Sequence, residues 1–183
     1  MLRFTSIHFD LPSMKTRLVM VTTADGIIAK GSDHNPMDWT SKEDKDHFKA
    51  ISKEFGVMIM GQSSYDAIGS PLPGRLTVVL TREQRIDQPG LLEHKQGDIK
   101  LILNDLEKRG HDKVLICGGT FVNSLFLQEN LIDEIQITIE PKLFGSGLHL
   151  FDKTDVNLNL ELIESKRLNP NTVNLLYKIK RNI

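Results

Sequence analysis

Asp44 stands where a carboxylate is costly. Phe48, Ile51 and Phe55 follow it at +4, +7 and +11. At about 100° per residue these four fall on one narrow helical stripe, while Glu43, Asp46 and Glu54 point elsewhere. A carboxylate on a core-facing stripe needs hydrogen bonds or proton chemistry to justify it. The alternative is that Asp44, in a first helical turn, only complements the helix dipole. Trp39, five residues earlier, either walls the same pocket or packs in the core.

Two junctions between strand and helix could meet phosphate. Cys117-Gly118-Gly119 ends an apolar run and precedes a helical one, so bare backbone there could approach an anion at a positive helix end. The other reading is a tight turn without ligand. Gly61-Gln62-Ser63-Ser64 sits at a similar junction, where the hydroxyls either cap the helix or hold phosphate oxygens. A pair of such junctions in one small domain favours a dinucleotide, although neither G-x-G-x-x-G nor a P-loop is present. Arg75 follows the rigid turn Pro71-Leu72-Pro73-Gly74. It either clamps a carboxylate with its planar fork or lies solvated on the surface.

The elements that must position these groups are legible in outline. Residues 17–23 form a short apolar strand. Thr40 and Glu43 read as a capping box opening a helix that stops at Gly56. Strands are expected at 57–61, 76–81, 114–117 and 135–139, with a short helix at 63–68 and another at 120–129. Ile99, Ile102, Leu103 and Leu106 give one apolar helical stripe. Leu158, Leu160 and Leu162, then Asn169-Pro170-Asn171, then Val173, Leu175, Tyr177 and Ile179 read as a hairpin. The expected fold is α/β: three layers, a mostly parallel central sheet with helices on both faces, and a C-terminal antiparallel hairpin.

Composition narrows the classes. The chain has 183 residues, a formal net charge of −1, 26% charged residues and one cysteine. That size suits a single domain, expected over 15–183, with 1–14 as a loosely attached extension interrupted by His8, Asp10 and Pro12. The balance of charge gives no basic surplus for nucleic acid, and no window suits a membrane span. The lone Cys117 excludes an internal disulfide and argues for a reducing, cytoplasmic setting. It reads as a small buried residue rather than a nucleophile. The six histidines make no i, i+4 pair, so no metal site is expected, and His47 is expected to be exposed.

Taken in order, Trp39, Asp44, Phe48-Lys49, the run from Val57 to Gly61, Ile68-Gly69-Ser70-Pro71-Leu72-Pro73-Gly74-Arg75 and Val78 to Arg82 resemble dihydrofolate reductase. The resemblance is close over 39–82 and looser over 16–180. It implies NADPH-dependent reduction of 7,8-dihydrofolate to tetrahydrofolate. Asp44 would bind the pteridine and promote its protonation, with Trp39 and Thr138 beside it. Phe48, Ile68 and Leu72 would line the substrate pocket, and Arg75 would hold the glutamate α-carboxylate. NADPH would meet Ala29, Gly61, Gln62, Ser63, Ser64, Thr81, Arg82, Cys117, Gly118, Gly119, Thr120 and Phe121.

There are departures from that family's pattern. Gln62 and Ser64 replace the usual arginine and threonine, Cys117 replaces the first of three glycines, and Lys45 stands where an apolar residue is usual. Asp25-Gly26, Gly118-Gly119, Leu131 to Glu134, Pro141 to Gly147 and Phe151 are instead similar to the reductase domain of the riboflavin-pathway deaminase/reductase. That likeness implies the same fold and cofactor, with a pyrimidine ribosyl phosphate as substrate. A nucleotide-binding protein without catalysis is the third reading. Monomer and homodimer both remain open, since the final hairpin or an exposed edge could pair subunits.

Overall fold

The computed structural model describes residues 14–152 and 155–181. The expected extension therefore lies outside the described residues, except for Met14. That side chain is buried in the core, 3% exposed.

The elements run β1 (Lys15–Thr23), β2 (Ile27–Ala29), a 3-10 turn (Pro36–Asp38), α1 (Lys42–Phe55), β3 (Val57–Gly61), α2 (Gln62–Ile68), β4 (Leu76–Leu80), β5 (Leu92–Lys95), α3 (Ile99–Lys108), β6 (Lys113–Ile116), α4 (Thr120–Gln128), β7 (Glu134–Glu140), β8 (Leu148–His149), β9 (Asn159–Asn169) and β10 (Thr172–Lys180). Eight strands make one sheet in the order β5-β4-β3-β6-β1-β7-β10-β9. Its first six strands are mutually parallel. β10 runs antiparallel to both β7 and β9. This is the expected three-layer architecture.

Strand period 2 sorts the apolar residues onto two faces. Leu18, Val57, Ile59, Val78, Val114 and Ile116 pack with α3 and α4 around Leu103 and Phe126. Val19, Met58, Met60, Val79 and Leu115 pack with Ile51 and Phe55 of α1 and against Tyr65 and Ile68 of α2. Each of the larger side chains contributes about 1.5–3 kcal/mol by leaving water. The structure adds the short strands β2, β5 and β8, of three, four and two residues.

The start of α1 differs from the expected capping box. Its N-cap is Ser41, whose Oγ accepts from Asp44 N. A capping-box glutamate would accept from the cap's own N–H, but here Glu140 takes that place, accepting from Ser41 N at 2.8 Å. Glu43 accepts instead from Asn169 Nδ2. The shift by one residue frees Thr40 for another partner. His47 is also not exposed: it is half-buried, its ring 3.0 Å from Gln136 Nε2, because β7 and β10 extend the sheet beneath this side of α1.

Candidate active site

The carboxyl ends of the parallel strands open into a cleft of about 1520 Å³, the usual place for ligands in open α/β sheets. Asp44 reaches it from the first turn of α1 and is 8% exposed. Burial raises its pKa from 3.8 to about 6. Hydrogen bonds from Thr138 and Thr40 act against that rise, as does nearby Lys45, and the charge of Glu140 adds to it. A carboxyl titrating near 6 has both forms at hand, as a general acid requires.

Behind Asp44 lies a buried polar chain. Gln136 Nε2 donates to Asn174 Oδ1 at 2.8 Å, and Asn174 Nδ2 donates to Thr138 Oγ1 at 3.0 Å. Thr138 thus accepts from Asn174 and uses its own proton on Asp44. Arg17 Nη1 donates to Gln136 Oε1 at 3.1 Å and orients the amide. Glu140 accepts from Thr172 Oγ1 as well as from Ser41 N. Sequence reasoning missed Gln136, Glu140 and Asn174. The signal was present: Gln136, Thr138 and Glu140 form an i, i+2, i+4 polar row on a strand whose two faces are both covered.

Arg75 lines the same cleft and is 7% exposed. Its Nη1 donates to Lys49 O at 3.1 Å, whereas its Nε has no partner among the described residues. Burial pulls its pKa down from the ordinary value. Phe48, Ile68 and Leu72 stand between the two charged groups in the chain order and line the cleft with them. Lys49 and Lys53 are also in its wall.

Eleven of the twelve residues marked for cofactor line the opening. Ala29, Gly61, Gln62, Ser63, Ser64, Thr81, Arg82, Cys117, Gly119, Thr120 and Phe121 all line the cleft. Gly119 caps α4 without any side-chain hydrogen bond, leaving its first N–H groups for a ligand. A Cβ on Gly119 would come 3.3 Å from Ser64 Oγ, and one on Gly61 would come 3.1 Å from Val122 Cγ2. The Gln62 Oε1 is buried and has no hydrogen-bond partner among the described residues. A bare cradle with an uncapped helix end and flanking cations fits a pyrophosphate-bearing nucleotide. Burial pushes the Cys117 thiol up to about 12, which suits a packing residue and not a nucleophile.

Two expected residues are placed otherwise. Trp39 is outside the cleft lining; it packs edge-on against Phe144 and over His34. Gly118 also lies behind the lining, its φ of +86° turning the chain beside Met20. The aromatic group is anchored by Asp25, which accepts from Thr23 Oγ1, from Phe144 N and from Gly145 N. These contacts hold Asp25 below the usual carboxylate range, Thr23 first and Gly145 next. Asp25-Gly26 and the loop near Gly145, far apart in sequence, are therefore one device.

Fold and cleft together define a protein of the dihydrofolate-reductase-like class. Within that class the chain belongs to the RibD C-terminal domain family, which it matches over residues 15–174. A relative described as a putative dihydrofolate reductase from Caenorhabditis elegans is 27% identical over 164 residues, covering 81% of this chain and 85% of the relative. The crystal structure of a putative riboflavin biosynthesis protein from Shewanella sp. PV-4 is 25% identical, with a TM-score of 0.75, covering 92% of this chain and all of that one. The dihydrofolate reductase of Enterococcus faecalis, solved with NADP(H), shares the fold at a TM-score of 0.72 and 20% identity, covering 93% and 99% of the two chains. Relatives of this chain thus include proteins named as dihydrofolate reductases. Among the described residues no helix is long and apolar enough to cross a membrane.

Proposed function

We propose that the chain is an NADPH-dependent reductase of 7,8-dihydrofolate, with Asp44 as the acid that assists protonation of the pteridine ring. The observation that carries this reading is that Asp44 and Arg75 line one cleft. A pterin offers a donor array that a carboxylate matches, and its glutamate tail offers a carboxylate that a guanidinium matches bidentately.

Bound NADPH supplies the hydride; Gly61 to Ser64, Arg82 and the start of α4 are the residues that would hold it. The chain's own work is to position and to protonate. Phe48, Ile68 and Leu72 exclude water, which sharpens the alignment that transfer between two rings demands. Thr40 and Thr138 aim the Asp44 carboxyl, whose position near the cleft wall lets it hold a proton for the ring nitrogen.

A second reading is supported by the family match and by Lys49 and Lys53 beside Arg75 in the wall. Three cations would suit the phosphate of a pyrimidine ribosyl phosphate, making the chain a 5-amino-6-(5-phosphoribosylamino)uracil reductase. Following loss of nicotinamide absorbance with each substrate separates the two. Turnover of dihydrofolate is expected. Turnover of the ribosylaminopyrimidine alone overturns the first reading, and NADPH thermal stabilisation without turnover of either points to binding without catalysis.

A further inference from the structure

The polar chain behind Asp44 has a direction, and one residue sets it. A guanidinium carries donors only, whereas an amide has one accepting end and one donating end. Arg17, in β1, directs Nε and Nη2 to Glu134, at 2.7 and 2.5 Å. Its Nη1 meets Gln136 at 3.1 Å, so the end of Gln136 that faces it is the carbonyl oxygen. The Gln136 amide nitrogen is thereby turned to Asn174 and to His47, 2.8 and 3.0 Å away. Asn174 accepts there and offers its own nitrogen to Thr138, whose proton is left for Asp44. From Arg17 to Asp44 every link donates the same way. Gln136, Asn174 and Thr138 are all buried, so each has to find its partners within this chain.

The same logic fixes His47. Facing a donor, its Nε2 is the lone-pair nitrogen, which leaves the ring neutral with its proton on Nδ1. Its surroundings agree. Burial first, then Lys166 of β9 and Arg17 of β1, hold its pKa below the ordinary value, against Glu164 of β9. Without Arg17 both amides can turn over together. His47 Nε2 and Asn174 Nδ2 would then donate to the Gln136 oxygen, Thr138 would donate to Asn174, and Asp44 would lose its threonine donor, leaving it to Thr40, Lys45 and Glu140. We propose that Arg17 is a positioning residue for Asp44: it orients the Gln136–Asn174–Thr138 chain so that the carboxyl meets a donor and not an acceptor on its β7 side. The role serves catalysis through the acid assigned under the proposed function, whereas the orientation exists in the free protein and is measured without substrate.

Carbon NMR of the Asp44 carboxyl, assigned by its loss in Asp44→Asn, and nitrogen NMR of the His47 ring test this on the full chain. In the parent at neutral pH, His47 is expected in the Nδ1–H form with Nε2 accepting. Arg17→Met leaves Glu134 paired with Lys15 at 2.8 Å. It should populate the Nε2–H form of His47 and move the Asp44 midpoint above the parent's value of about 6. Placed on Thr138→Val, the same substitution should leave the midpoint where Thr138→Val alone puts it, because the last link is gone. A plain loss of positive charge would shift both backgrounds alike. Glu134→Gln removes the ion pair of Arg17 but not its bond to Gln136, and should lower the melting temperature without moving either signal. A parent His47 protonated on Nε2 overturns the proposal before any variant is made. An Asp44 midpoint unmoved by Arg17→Met, or a shift that persists in Thr138→Val, overturns it equally. Failure to turn over dihydrofolate would remove the substrate reading and leave these signals as they are.

Discussion

Asn174 Nδ2 donates to Thr138 Oγ1 at 3.0 Å, and this leaves the threonine proton directed at Asp44. The hydroxyl cannot rotate away without abandoning a buried amide, so the acid is held by a partner that is itself held.

Thr138→Val keeps the volume and removes the hydroxyl. The Thr138 bond is the largest influence holding the Asp44 pKa down, so the variant should titrate above the parent's value of about 6. We expect kcat/KM to fall about tenfold, as loss of one buried bond to a carboxyl implies. A pH–rate profile checks both, and Thr138→Ser should recover most of each.

Asp44→Asn should lower kcat by about 10²-fold or more, the usual contribution of a positioned acid. Stability should move the other way. The carboxyl pKa rises from 3.8 to about 6 on folding, so the folded state binds the proton more tightly. The stability this contributes is complete below pH 3.8 and is lost as pH rises through about 6. Above that, the buried charge costs the folded state up to about 3 kcal/mol. The asparagine variant should therefore melt higher than the parent at pH 8 and show no such advantage at pH 4, as thermal denaturation at the two pH values would reveal.

Arg75→Leu should raise KM for dihydrofolate about tenfold or more, the worth of a charge-assisted bidentate bond. A pterin without the glutamate tail should be affected far less. Equal effects on the two substrates would remove the carboxylate-clamp role.

Gly147→Ala should damage the rim of the cleft. Its φ is +152°, and an added Cβ would lie 2.2 Å from Ala29 O, in the backbone of β2. β2 pairs with β8 there, and Ala29 and Leu148 line the opening. We expect a loss of about 2–3 kcal/mol in denaturant unfolding and weaker NADPH binding by fluorescence titration. Gly145→Ala, with open space around its Cβ, should cost about 1 kcal/mol.

Periodicity sufficed for much of this. The apolar runs of β3, β4 and β6 mark strands buried on both faces, and the Asp44–Phe48–Ile51–Phe55 stripe states which side of α1 faces the core, because burial imposes its pattern on the residues that make it. The glycine junctions at Gly61 and Gly119 could also be placed at strand ends. Other features were not visible locally. Ser41 displaced Thr40 as the cap because a glutamate 99 residues away meets its N–H, and of the two readings of Trp39 the structure shows packing, edge-on against Phe144, whose N–H is held by Asp25.

By itself the sequence determined the layers, the helix bearing Asp44 and the glycine junctions at two strand ends, since these depend on spacing along one element. Only the tertiary structure decided that Asp44 meets Thr138, that Asn174 holds Thr138, and that Arg75 shares their cleft. Those contacts join strands and helices distant in sequence, and the hydrogen bonds that a buried polar group must find are fixed by which strands the sheet makes neighbours.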